Sequence, residues 1–189
     1  SNQHGVLPDT EIKKAIKQGW IAADAPFLDE QIQPASLDLR LGETAYRLRA
    51  SFLPGAGAKV RDRLDSELVM HEIDLTKGAV LETGCVYLVQ VQEELALPQH
   101  MHGAANPKSS TGRVDVFTRL ITDGAQSFDY IPMGYAGPMW AEISPCTFSV
   151  LVRTGTRLSQ VRCAAARRIA EKGRRLLARY RALREREAG

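Results

Sequence analysis

The sequence has little cysteine: its 189 residues hold Cys85, Cys146 and Cys163, far apart and in no C-x-x-C pair. An odd, scattered set gives no disulfide framework, and inert thiols in a reducing cytoplasm are expected. Long apolar runs are also missing. None approaches the roughly 20 residues of a membrane helix, and no charged-then-apolar leader opens the sequence. A cytoplasmic chain without a membrane partner is therefore expected. Ser1-Asn2 reads as a remnant of tag removal, with 1–4 outside the fold. Metal chemistry is equally thin. His71-Glu72 has no second histidine at zincin spacing, and the zinc-deaminase signature H-x-E…P-C-x-x-C is absent. His4, His100 and His102 lie in polar stretches, as surface residues do. A G-x-S-x-G nucleophile elbow is also absent.

What is present is an ordinary globular composition. It is 44% apolar and 25% charged in 20.8 kDa, enough to bury one core. The net charge of +3 hides a split. Residues 163–189 hold nine of the 25 Lys/Arg and three of the 22 Asp/Glu, a balance of +6. Residues 1–162 are left with 16 basic and 19 acidic groups, or −3. The body is thus mildly acidic, and nucleic acid is not expected as a partner. The basic tail reads as a solvated helix.

Periodicity predicts a mainly β fold. Pro8 to Glu11 is a helix start and Gly19 its stop, with Ile12, Ala15 and Ile16 at helical spacing. Leu37, Leu39 and Leu41 alternate with Ser36, Asp38 and Arg40, a half-buried strand that Gly42 would end in a turn. Tyr46 to Arg49 repeats the pattern. Residues 53–58 form a Pro/Gly/Ala loop, and 62–70 could make a short helix. Short strands are then expected over 71–75, 79–81, 86–91, 103–105, 114–117, 138–143 and 148–152. Many short strands separated by Gly and Pro suggest a sandwich or jelly-roll-like barrel. From Cys163 the Ala/Arg/Glu/Leu-rich composition predicts a helical tail. The division expected is 1–4, a β domain over 5–162 and the tail over 163–189.

Three places could carry chemistry. In 106–113, N-P-K-S-S-T-G-R, two cations and three hydroxyls crowd together, as suits an anion, though a solvated polar turn reads the same way. The order is not that of a P-loop. Glu142 follows the turn Gly134-Tyr135-Ala136-Gly137 in an otherwise apolar strand. A buried carboxylate there suits a general acid/base, and an outward-facing one would be inert. Asp38 and Arg40 share a strand face, as a structural ion pair would.

Four segments in order carry a resemblance: Q-P-A-S-L-D-L-R-L-G at 33–42, N-P-K-S-S-T-G-R at 106–113, G-Y-A-G-P-M-W-A-E-I-S at 134–144 and G-T-R-L-S-Q at 155–160. Over about 5–162 the chain resembles the dCTP deaminase/dUTPase superfamily, above all bacterial dCTP deaminase and the N-terminal domain of its double-length form. The resemblance implies a dUTPase-like distorted β-barrel or jelly roll with an N-terminal helix and a C-terminal helical tail. It implies a homotrimer with active sites at subunit interfaces. The implied reaction is hydrolysis of dCTP to dUTP and ammonia without zinc, the triphosphate carrying Mg²⁺. Glu142 would be the proton shuttle. Lys108, Ser109 and Ser110, with Thr111 and Gly112, would meet phosphate and place the water. Arg113 would support the catalytic centre, and Trp140 and Ala141 would lie beside the base. One carboxylate near neutral pKa can relay the protons from water, to N3 and to the leaving amine.

The pattern breaks twice. Where the family has an Asp for the sugar 3′-hydroxyl this chain has Pro132, and Asp129 is the candidate substitute. The family's closing arm is replaced by the Ala/Arg-rich tail. Alternatives are a dUTP diphosphatase or bifunctional enzyme, which Leu120-Ile121-Thr122-Asp123-Gly124 echoes faintly, and a nucleotide-binding domain without turnover.

Overall fold

The computed structural model describes residues 9–187; Ser1-Asn2, His4 and Pro8 lie outside the described residues. Helix α1, Asp9–Lys17, turns Ile12 and Ala15 into the core. Gly19, at φ 77°, follows its end. Eleven strands come next: β1 Ile21–Ala22, β2 Leu37–Leu48, β3 Val69–Asp74, β4 Ala79–Leu81, β5 Val86–Ala96, β6 Met101–Pro107, β7 Val116–Thr122, β8 Tyr130–Ile131, β9 Ala136–Pro145, β10 Val150–Val152 and β11 Arg157–Ala165. A short helix α2, Ser109–Arg113, precedes β7, and α3, Ala166–Glu187, closes the order.

Nine strands form one antiparallel sheet in the order β7-β9-β5-β2-β11-β6-β8, with β1 on β5 and β3 on β2. The sheet curls so that β7, at one end, lies against β6 near the other. The result is the expected mainly β, distorted barrel with an N-terminal helix and a C-terminal helix. Strands β4 and β10 make a separate pair. Leu37, Leu39, Val89, Met139, Ala141 and Ile143 fill the interior. A second cluster lies on the other face of β5, β7 and β9: Leu88, Ile121 and Trp140 pack there under the segment 49–68 with Leu48 and Val60. Period-two alternation sends Ala141 to the interior, and Trp140 and Glu142 to the second face.

Several local expectations give way. The strand over 37–41 does not turn at Gly42 but runs on to Leu48. A Cβ at Gly42 would stand 2.5 Å from the Gln90 carbonyl, so the glycine permits a close approach of two strands. In place of a helix over 62–70 there is one 3-10 turn, Arg61–Arg63. Val69–Asp74 pairs with β2 instead. The helix expected from Cys163 begins at Ala166. Cys163, Ala164 and Ala165 extend β11 opposite Gly103, His102 and Met101, so sheet pairing overrides the helix preference of alanine. Cys163 is buried, Cys85 half-buried and Cys146 exposed. Burial pushes the Cys163 thiol up to about 11, which keeps it protonated and inert at neutral pH.

Candidate active site

Glu142 occupies the middle of β9, opposite Leu88 of β5 and Arg119 of β7. The turn before the strand is fixed by Tyr135. Its hydroxyl accepts from the Asp123 N–H at 3.0 Å and donates to the Pro138 carbonyl at 2.5 Å. Burial pushes this phenol up to about 12. Glu142 is 2% exposed, a costly place for a charge unless it is paired. Arg119 supplies the pairing. Its Nε and Nη2 both donate to Oε1, at 3.2 and 2.7 Å. The guanidinium is itself held over the Phe128 ring at 3.6 Å and the Phe117 ring at 5.0 Å. Ser51, from the segment between β2 and β3, donates to Oε2 at 2.5 Å and accepts from Arg119 Nη2 at 2.8 Å.

Trp140 and Ala141, the two residues before Glu142, point to opposite faces of β9. Trp140 shares the Glu142 face, buried beneath Arg61, whose guanidinium lies 5.2 Å from the indole. Trp140 Nε1 has no hydrogen-bond partner among the described residues. The Ala141 side chain points into the opposite, interior face. Asp129, at φ 63°, accepts the Leu120 N–H on Oδ1 at 2.8 Å. Burial raises its carboxyl above the usual range, against the opposing pull of the Leu120 N–H and Arg119, while the charge of Glu142 adds to the rise. Asp129 thus shares the electrostatic surroundings of Glu142.

The hydroxyl-rich segment lies elsewhere. Lys108 leads into α2, and Ser109, Ser110, Gly112 and Arg113 are exposed. Thr111 turns inward and donates to the Leu158 carbonyl at 2.7 Å, so its proton is committed to the fold. The Lys108 ammonium reaches the Asp38 carboxylate at 2.6 Å, and Arg157 stands 3.6 Å from the same oxygen. Asp38 and Arg40 therefore do not pair with each other, as the sequence reading expected. Two positions along a strand are separated by about 6.6 Å, whereas partners on adjacent strands come closer. Arg40 binds the Glu93 carboxylate of β5 instead. Lys108, Ser109 and Ser110 line an open cleft of about 670 Å³ with Ser36, Gln160 and Arg162.

Glu142 does not line that cleft, and no hydrogen bond or ion pair joins it to 108–113 among the described residues. Val116, first in β7, pairs with Pro145, about 10 Å along the strand from Glu142, and α2 lies beyond it. The single chain thus presents a carboxylate centre and a cationic cleft as separate places. Arg119 and Ser51 escaped the sequence reading. The signal for Arg119 was the one used for Glu142: a charge inside the apolar strand V-F-T-R-L-I-T. Ser51 lies in an irregular segment and gave no signal.

Residues 3–167 match the model of the 2'-deoxycytidine 5'-triphosphate deaminase (DCD) N-terminal domain. A deaminase of that name from Agrobacterium tumefaciens superposes with a TM-score of 0.82 at 56% identity, over 85% of this chain and 48% of that one. The chain therefore spans about half the length of that protein. A dCTP deaminase, dUMP-forming, from Methanothermobacter thermautotrophicus is 33% identical over 142 residues, 74% of this chain and 68% of the relative. One of the same description from Methanosphaera stadtmanae is 29% identical over 157 residues, 82% and 77% of the two chains. With four motifs in family order, a matching barrel and a family match across most of its length, the chain belongs to the dCTP deaminase N-terminal-domain family.

Proposed function

We propose that the domain deaminates dCTP to dUTP and ammonia, with Glu142 relaying the protons. The observation that carries this reading is a carboxylate 2% exposed at the expected strand position, held by two side-chain partners. Water adds to C4 of the cytosine while Glu142 takes its proton and delivers it to N3. A second proton passes through Glu142 to the amine, which leaves as ammonia, and the C4 oxygen becomes the uracil carbonyl. Arg119 stabilises Glu142 whenever it is ionised.

The substrate in this reading is dCTP with Mg²⁺ on its phosphates. The cleft fits such a ligand. Lys108 and Arg162 supply charge, Ser109 and Ser110 supply donors, and its one carboxylate, Asp38, is engaged by Lys108. The separation of the cleft from Glu142 supports a homotrimer in which Ser109 and Arg113 of one copy complete the Glu142 centre of another. Asp129 is the proposed partner of the sugar 3′-hydroxyl. The family's setting in nucleotide metabolism supports a cytoplasmic location.

Relatives described as dUMP-forming favour a second reading, in which the deaminated triphosphate is also cleaved to dUMP. Incubation of the purified chain with dCTP and Mg²⁺, followed by nucleotide chromatography, tests both. Accumulation of dUTP is the expected result. Growth of dUMP with pyrophosphate selects the second reading. Unchanged dCTP, with nucleotide binding retained, overturns turnover by this chain.

A further inference from the structure

The Glu142 carboxylate has two oxygens in different surroundings. Oε1 takes both donors of Arg119, and Oε2 takes the hydroxyl of Ser51. Arginine donates only, so it can hold Oε1 as an acceptor in either state but cannot accept from a carboxylic acid O–H. A serine hydroxyl can donate to a carboxylate oxygen or, after rotation about its C–O bond, accept from a carboxylic acid O–H. A buried shuttle must be stable in both protonation states, because an unpaired polar group away from water is destabilising in either. Among the described residues, Ser51 is the one partner of Glu142 whose hydroxyl can donate to an ionised Oε2 and accept from a protonated one.

The segment that delivers Ser51 is anchored. Gly55 N–H donates to the Ala125 carbonyl at 3.0 Å, and Gly124 N–H to the Ala58 carbonyl at 2.8 Å. Val60 N–H binds Asp123 Oδ1 at 2.8 Å, and Arg63 Nη2 binds the Pro54 carbonyl at 3.0 Å. Phe52 and Leu53 pack on the cluster that holds Trp140. Ser51 itself is exposed, while Glu142 beneath it is not.

We propose that Ser51 is a positioning residue for Glu142: its hydroxyl fixes the carboxylate plane and makes Oε2 the oxygen that carries the transferred proton. The role rests on the deaminase reading for its consequence, but the contact itself is testable apart from it. The charged groups facing Glu142 are Arg119 of β7 and Asp129 of the segment before β8. Neither reaches Oε2.

The test uses Ser51→Ala and Ser51→Thr in the full chain. Ser51→Ala is expected to lower kcat by about 10- to 100-fold with KM within about twofold, and to move the acid limb of kcat/KM to higher pH. Ser51→Thr, which restores a hydroxyl, is expected to recover most of the rate and the profile. Wild-type kcat and an unmoved profile in Ser51→Ala overturn the proposal. The ¹³C NMR shift of the Glu142 carboxyl, identified by its absence in Glu142→Gln, gives a readout independent of turnover. It is expected to move in Ser51→Ala and to return in Ser51→Thr, and an unmoved shift in Ser51→Ala overturns the proposal. A wild-type chain that does not deaminate dCTP would sink the deaminase reading instead, and the NMR shift would still decide the role of Ser51.

Discussion

Two glutamates are buried in this sheet, each against an arginine, and the manner of pairing separates them. Glu93 is 0% exposed and its partner Arg40 6%. One Glu93 oxygen accepts the backbone N–H of Arg40 at 2.6 Å, and the other meets Arg40 Nε at 3.3 Å. The rest of the guanidinium goes to the Pro26 and Ala25 carbonyls at 2.8 and 3.3 Å. Backbone groups of β2 and of the segment before it hold this pair, and the Arg40 N–H cannot leave without undoing β2. Glu142 is as deeply buried, but its partners are side chains, Arg119 at 26% exposure and the exposed Ser51. Side-chain partners can rotate or yield to a ligand. The Glu93 pair fastens two strands, and the Glu142 trio can change state within a fixed frame.

The largest effect that would sharpen this contrast is on turnover. Glu142→Gln is expected to lower deamination by about 10³-fold, with nucleotide binding and the thermal midpoint nearly unchanged. Glutamine keeps the shape and hydrogen bonds but cannot carry the proton. Retained deamination in a steady-state assay would remove Glu142 from the mechanism. The mirror experiment is Glu93→Ala, which strands the Arg40 guanidinium in the interior. A loss of about 3–5 kcal/mol in urea unfolding is expected. Replacing both partners, Arg40→Met with Glu93→Leu, should recover much of it. If Glu142→Gln destabilised the fold as much as Glu93→Ala, the distinction drawn here would fail.

The sequence showed one member of each pair more plainly than the other. Glu142 was legible because a charge stood in an apolar run after a Gly-rich turn. Arg119 carried the same signal, yet only the β7–β9 register brings it opposite Glu142. Arg40 was read with Asp38 because they are near in sequence, whereas cross-strand distance favoured Glu93 and Lys108. The same limit governs the fold. Alternation marked β2 up to Leu41, but the glycine that looked like a turn is there for the Gln90 carbonyl, a contact 48 positions away in sequence. The alanines at 164 and 165 read as helix until β6 claimed them. Local patterns exposed the strands and the isolated charge, and nonlocal pairing decided where the strands ended and which charges met.

Asp38 sets a third case between the two. It is buried like Glu93, but holds Lys108, which is 22% exposed at the cleft. Lys108→Ala is therefore expected to weaken dCTP binding by about tenfold, roughly 1.4 kcal/mol, with kcat within about twofold. Isothermal titration with Mg²⁺–dCTP and steady-state rates would check this. A fall confined to kcat would move Lys108 from phosphate binding to the chemical step.

The subtlest effect is a tilt of stability with pH, and it tests whether the backbone-held pair is strained by its burial. Burial raises the Glu93 carboxyl above the usual range, and the opposing pull of the Arg40 N–H and guanidinium is smaller. A glutamate in the unfolded chain titrates near about 4.3. Because the folded value lies higher, the Glu93 contribution is fully present below that unfolded value and is lost as pH rises through the folded one. The difference in unfolding free energy between wild type and Glu93→Gln should then fall as pH is raised from about 4. Urea titrations of both proteins across that range would measure it. A difference that grew with pH would mean that Arg40 outweighs the loss of hydration, and that the buried pair stabilises Glu93 as an ion in the way Arg119 is taken to stabilise Glu142.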